Sequence, residues 1–155
     1  MQKFHLVLPD MRTQEITYAE LLKQASMTLL YFYPKDNTPG CTLEAQEFSS
    51  HIGAFADIGI QIVGVSKDGS ASHCRFIDKH NLGISLLSDP DLVLHKQFEA
   101  WWEKNMYGKV VSGTIRSTFL LSDSGSVLQE RRNVQARGHA EKVLSFCLKM
   151  KQDSI

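Results

Sequence analysis

The chain has 155 residues, 43% of them apolar, with seventeen basic and seventeen acidic side chains that cancel; this length and composition suit one compact domain spanning residues 1–155 and argue against a second. The charges are scattered rather than blocked, so neither nucleic acid nor an anionic membrane is an expected partner, and a small neutral one fits better. No window approaches the roughly 18 uninterrupted apolar residues of a spanning helix, and the first residues, MQKFHLVLPDMRTQ, lack an apolar stretch followed by a small-residue cleavage site, which points to the cytoplasm.

Along the chain, FHLVLPD reads as a short strand and EITYAELLKQ as a helix, by the spacing of Tyr18, Leu21 and Leu22. MTLLYFY is a continuous apolar run of buried-strand length. TLEAQEFSSHIGAFADI places Leu43, Phe48, Ile52 and Phe55 on one side of an amphipathic helix. A β-branched strand, IQIVGVS, precedes a helix through SASHCRFIDKH, started by a serine or glycine cap. ISLLSDP ends a short strand, and DLVLHKQF is a short helix opened by Asp91. STFLLSDSGSVLQERRNV is two runs around Asp-Ser-Gly, a hairpin signal, and HAEKVLSFCLKM is a closing helix. Strands alternating with helices imply a sheet covered on both faces, an α/β sandwich.

Cysteines 41, 74 and 147 are an odd number without a CxxC pair, which argues against both a secreted disulfide framework and a paired redox dithiol. Cys41 follows Pro39 and Gly40 where a helix begins. Proline's fixed φ suits a first helical turn, and glycine lets the backbone turn closely. In that turn the unpaired N–H groups and the positive end of the helix dipole favour a thiolate. A helix N-terminus with a nearby cation lowers a cysteine pKa from its ordinary 8.5 to roughly 3.5–7.5. The placement favours a nucleophile; the alternative is a small packed hydrophobe, as most unpaired cysteines are.

The stretch YFYPKDNTPGCTLEA contains P-x-x-x-T-x-x-C as Pro34, Thr38 and Cys41 and resembles the peroxidatic loop of peroxiredoxins, in particular the peroxiredoxin Q or bacterioferritin-comigratory-protein branch. VGVSKD, LLSDP, WEKNMYGK and RSTFLLSDSG follow in the order and at about the separations of that branch, so the resemblance runs nearly the whole length. It implies a thioredoxin-like fold with extra N-terminal elements. The implied activity is reduction of hydrogen peroxide or organic hydroperoxides by a cysteine, without metal, haem or flavin. Cys41 would attack the O–O bond, the Thr38 hydroxyl would bridge sulfur and peroxide, and Arg116 would stabilise the moving charge. Pro34 would shield the sulfur from water, and Glu44, one turn beyond Cys41, would orient Arg116 by a charge-assisted pair. Each has a plainer use: Thr38 as a helix cap, Arg116 as a surface charge, Glu44 as a first-turn acid.

The sulfenic acid left on Cys41 needs another thiol before peroxide drives it to sulfinic acid. Many branch members carry that thiol five residues further along the same helix, where this chain has Gln46. Others carry it on the next helix, where Cys74 stands about one turn early, near the place now held by Ile77. Cys74 is the expected resolving cysteine, with local unwinding of both helices and thioredoxin or another thiol as final reductant. Two alternatives stay open: a one-cysteine enzyme reduced by an external thiol, and a redox-sensing binding module on the same fold. The resemblance suggests a monomer or weak homodimer. Cys147 reads as core, the six histidines form no metal-ligand spacing, and Trp101, Trp102 and Tyr107 read as half-buried loop aromatics.

Overall fold

The computed structural model describes residues 2–153. Its centre is β3 (Met27–Phe32), buried at every position but the first. Side chains alternate across a strand, so Leu29 and Tyr31 point to one face while Leu30 and Phe32 point to the other; each pair anchors a separate hydrophobic cluster. A run apolar on both faces can only be an interior strand. Beside β3 lie β4 (Ile60–Ser66), parallel, and β8 (Ser117–Ser122), antiparallel. β5 (Ser85–Ser88) continues beyond β4, and β9 (Val127–Arg131) closes the other edge. An N-terminal hairpin, β1 (Lys3–Val7) and β2 (Thr13–Thr17), completes a seven-stranded sheet in the order β2-β1-β5-β4-β3-β8-β9.

Helices α2 (Pro39–Ser50), α3 (Ile52–Asp57), α4 (Ser70–His80) and α6 (His139–Asp153) cover the Tyr31 face through Ala45, Phe48, Phe55, Phe76, Ile77 and Val143. The short α1 (Tyr18–Leu22) and α5 (Val93–Gln97) cover the other through Leu21, Leu22 and Leu94. The expected α/β sandwich is present. Among the described residues no helix is long and apolar enough to cross a membrane.

Four local expectations change. The helix read from Glu15 starts only at Tyr18, because Thr13–Thr17 pairs with β1 in the register Phe4↔Ile16 and Leu6↔Gln14. Thr17 then caps α1 in a reciprocal box: its hydroxyl accepts from Glu20 N–H and its own N–H donates to the Glu20 carboxylate. The long helix after Cys41 breaks at His51, and the bend seats Phe55 against Phe48 with ring centroids 6.2 Å apart. Asp91 does not open α5; Asp89 does, accepting from the backbone N–H of Val93 at 3.0 Å and of His95 at 2.9 Å. Finally, Trp101–Thr114 is not a loop but a two-stranded arm, β6 (Trp101–Met106) and β7 (Lys109–Thr114). Its tip turns at Tyr107 and Gly108, with φ of 53° and 79°, the left-handed pair that a two-residue hairpin needs.

Candidate active site

β3 delivers the chain into a loop at residues 34–38, and α2 begins at Pro39. Cys41 therefore stands in the first turn. Because Pro39 has no N–H, only the amides of Gly40 and Cys41 are left free ahead of the first helical bond, Thr42 N–H to the Thr38 carbonyl at 2.9 Å. Thr38 occupies the cap position but makes no capping bond. Its hydroxyl turns back and donates to the Lys35 carbonyl at 2.8 Å, so its oxygen lone pairs remain free to accept. Pro34 is half-buried, two residues beyond the end of β3.

The sulfur is less open than its position in sequence suggests. Cys41 is 2% exposed and borders the cluster of Tyr31, Tyr33, Ala45 and Phe48. Among the described residues one charged group hydrogen-bonds to it. Arg116 stands at the entrance to β8, beside β3, and its Nη2 donates to Cys41 Sγ at 3.3 Å while Nη1 donates to Glu44 Oε1 at 2.5 Å. A planar guanidinium can grip both partners at once, which an ammonium cannot. Gly40 lies beside it: a β-carbon there would sit 3.5 Å from Arg116 Nη2, an ordinary van der Waals contact.

Glu44 is fully buried, one turn beyond Cys41. Burial drives its carboxyl pKa up to about 7, and the attraction of Arg116 takes back only part of that rise. Burial alone would lower the Arg116 pKa; the negative charges of Glu44 and Cys41 outweigh it and raise the value. Thus Cys41, Glu44 and Arg116 meet at one point, with Thr38 at the cap of α2, three residues before Cys41.

A second polar cluster holds the loop, and sequence reasoning missed it. Asp36 is 5% exposed and accepts from Tyr33 Oη at 2.6 Å, Ser72 Oγ at 2.8 Å and His73 Nδ1 at 2.7 Å. The Asp36 N–H donates to Asp68 Oδ2 at 2.9 Å, and Asn37 Oδ1 lies 3.1 Å from His80 Nε2. The available signal was an acid between Pro34 and Thr38, although its partners stand 36 and 37 residues away.

All three cysteines are free thiols. Cys74 is half-buried on α4, which packs on β1 and β5, and its Sγ faces the Met11 carbonyl at 3.8 Å. Cys74 packs at the margin of the same cluster that Cys41 borders, with no bond between the two thiols. Cys147 is buried in the Tyr31-face cluster, and burial pushes its pKa up to about 11. Trp101 packs edge-on to His95 with centroids 5.8 Å apart, whereas Tyr107 at the tip of the arm is fully exposed.

Known proteins match this chain in sequence and fold. Residues 2–130 match the model of the AhpC/TSA family. The peroxiredoxin Bcp of Xanthomonas campestris is 48% identical over 117 residues, covering 76% of this chain and 73% of that protein. The peroxiredoxin Bcp of Bacillus subtilis is 42% identical over 116 residues, covering 75% and 74%. Among solved structures, Xanthomonas campestris peroxiredoxin Q superposes with a TM-score of 0.84 at 39% identity, over 97% of this chain and 91% of that one. A structure concerned with the alkyl peroxide reduction activity of the Xanthomonas campestris bacterioferritin comigratory protein also gives 0.84, at 38% identity, over 97% and 92%. The fold is thioredoxin-like, as the resemblance implied, and the chain belongs to the AhpC/TSA family, in its peroxiredoxin Q or Bcp branch.

Proposed function

We propose that the chain is a thiol peroxidase that reduces hydrogen peroxide and organic hydroperoxides through Cys41. The supporting observation is the Arg116 guanidinium, 3.3 Å from the sulfur and fixed from behind by a fully buried carboxylate. The Cys41 thiolate attacks the distal peroxide oxygen. An S–O bond forms, the O–O bond breaks, and the bonding pair leaves on the alkoxide or hydroxide, which takes a proton. Arg116 stabilises the charge as it moves onto that oxygen, and the Thr38 hydroxyl oxygen accepts from the peroxide O–H. Pro34 walls the sulfur off from water.

The product is a sulfenic acid. In the favoured route Cys74 condenses with it, water leaves, and thioredoxin or another dithiol reduces the disulfide. A disulfide needs Cα atoms within about 7 Å, and with Cys74 turned to Met11 this requires α4 and the start of α2 to unwind. That same contact favours the one-cysteine reading, in which an external thiol reduces the sulfenate directly. A reducing cytoplasm suits three free thiols, and the protein acts as a monomer or weak homodimer.

Peroxide consumption by wild type, Cys41→Ser and Cys74→Ser, driven first by thioredoxin and then by dithiothreitol, tests the proposal. Cys41→Ser is expected to lose turnover with both reductants, and Cys74→Ser with thioredoxin alone. Activity in Cys41→Ser refutes the peroxidase reading. Undiminished thioredoxin-driven turnover in Cys74→Ser refutes the resolving role.

A further inference from the structure

We propose that Asp36 is a positioning residue for peroxide attack, and that through it the peroxide-binding loop and helix α4 come apart only together. The inference rests on the peroxidase reading of Cys41.

Asp36 belongs to the loop that enters α2, yet its fastenings lie elsewhere. Of the contacts made by Asp36 and Asn37, those to Ser72, His73 and His80 all reach α4, and that to Asp68 reaches the segment just before it. Only Tyr33 belongs to the loop's own strand end. His73 is fully buried with Nδ1 on the Asp36 carboxylate and Nε2 3.3 Å from the Leu87 carbonyl, so both ring nitrogens face oxygen. The loop is thus clipped to the helix that carries Cys74. From Asp36 the effect passes to the site over a short path: its neighbour Lys35 supplies the carbonyl that fixes the Thr38 hydroxyl at 2.8 Å.

The arrangement is bistable. If the first turn of α4 opens by itself, Asp36 stays buried with Tyr33 alone; if the loop leaves by itself, Ser72 and His73 lose their acceptor inside the protein. Either half-open form strands a buried polar group, so the fully clipped and fully released forms are the favoured ones. In the clipped form Thr38 is aimed and Cys74 is held against Met11. In the released form both segments are free, the condition that a Cys41–Cys74 disulfide requires.

The test uses the full chain, with Asp36→Asn as the near-isosteric variant, Ser72→Ala as a milder second one, and Leu144→Ala as a control that destabilises the core elsewhere. Hydrogen exchange is followed in residues 36–42, 70–80 and 143–150, and dithiothreitol-driven reduction of tert-butyl hydroperoxide gives kcat and KM. Asp36→Asn is expected to speed exchange in 36–42 and 70–80 by a common factor of about ten or more, leaving 143–150 unchanged. It is also expected to lower kcat/KM for the hydroperoxide about tenfold or more without lowering kcat. Ser72→Ala shifts both in the same direction by less, and Leu144→Ala shows neither pattern. Faster exchange in only one of the two segments, or a parallel loss of kcat and kcat/KM, overturns the proposal. A wild-type chain that does not reduce hydroperoxide sinks the peroxidase reading instead, while the exchange data still report on the clip.

Discussion

Replacing Glu44 with Gln removes a buried charge and keeps the side chain's shape. In the native state burial holds the Glu44 pKa at about 7, against an ordinary value of 4.5. The native chain therefore holds this proton more tightly than the unfolded chain does, so the stabilisation is fully present below pH 4.5 and is lost as pH rises through 7. At about 1.4 kcal/mol for each tenfold change in proton affinity, the ionised carboxylate costs the wild type about 3 kcal/mol at pH 8. Urea unfolding of both proteins from pH 4.5 to pH 8.5 measures it. The stability of wild type minus that of Glu44→Gln is expected to fall by about 3 kcal/mol across the range. In the same variant Arg116 keeps an amide acceptor but loses its counter-charge, so the peroxide reaction slows even where the fold gains stability. A stability difference that stays constant with pH refutes the argument, because it means that Arg116 fully offsets the desolvation of Glu44.

Three further outcomes follow from the same geometry. Arg116→Lys is expected to lower the rate of Cys41 oxidation by about 10²–10³ with the near-ultraviolet dichroism unchanged, since one ammonium cannot reach both Glu44 and the sulfur; a rate within threefold or so of wild type by stopped-flow contradicts that. His139 is held down to about 4, first by burial and then by the charges of Arg131 and Lys142. Its contribution to stability is present above the ordinary value of 6.5 and is lost as pH falls toward 4, by up to about 3 kcal/mol. Glu44 slopes the other way over the same window, so these two groups nearly cancel in the wild type, whereas Glu44→Gln loses stability on acidification and His139→Gln gains it. Gly64→Ala puts a β-carbon 2.9 Å from both Tyr31 and Leu86 in the centre of β4, and is expected to cost about 1–3 kcal/mol by thermal denaturation; an unchanged midpoint shows that Tyr31 can move away from its stack on Phe48.

Much of the fold is legible because the interior strands carry it. MTLLYFY and IQIVGVS announce themselves by unbroken apolar character, and the helices of the Tyr31 face by periodicity. What escapes is local structure without an apolar pattern. Thr13–Thr17 buries only its last two residues, so helix-like spacing downstream masks the strand, although the T-x-x-E capping box of Thr17 and Glu20 marked the true start of α1. The β6–β7 arm is exposed along nearly all of its length, so no alternation develops. At the site, Pro39-Gly40-Cys41 is a local signal with a local explanation. The Arg116 and Glu44 contacts link residues 72 and 75 apart and were reachable only through the family resemblance. The burial of the Cys41 sulfur and the Asp36 cluster depend on how separate segments pack, which no single stretch encodes.

The cation beside Cys41 arrives 75 residues after it in the chain. A growing polypeptide that has already exposed this cysteine has not yet made Arg116, and even the finished chain lacks the pair until β8 zips onto β3. On the peroxidase reading proposed above, the pairing of β8 with β3 is thus a condition for activating Cys41, and a chain that has not yet made it carries an ordinary thiol.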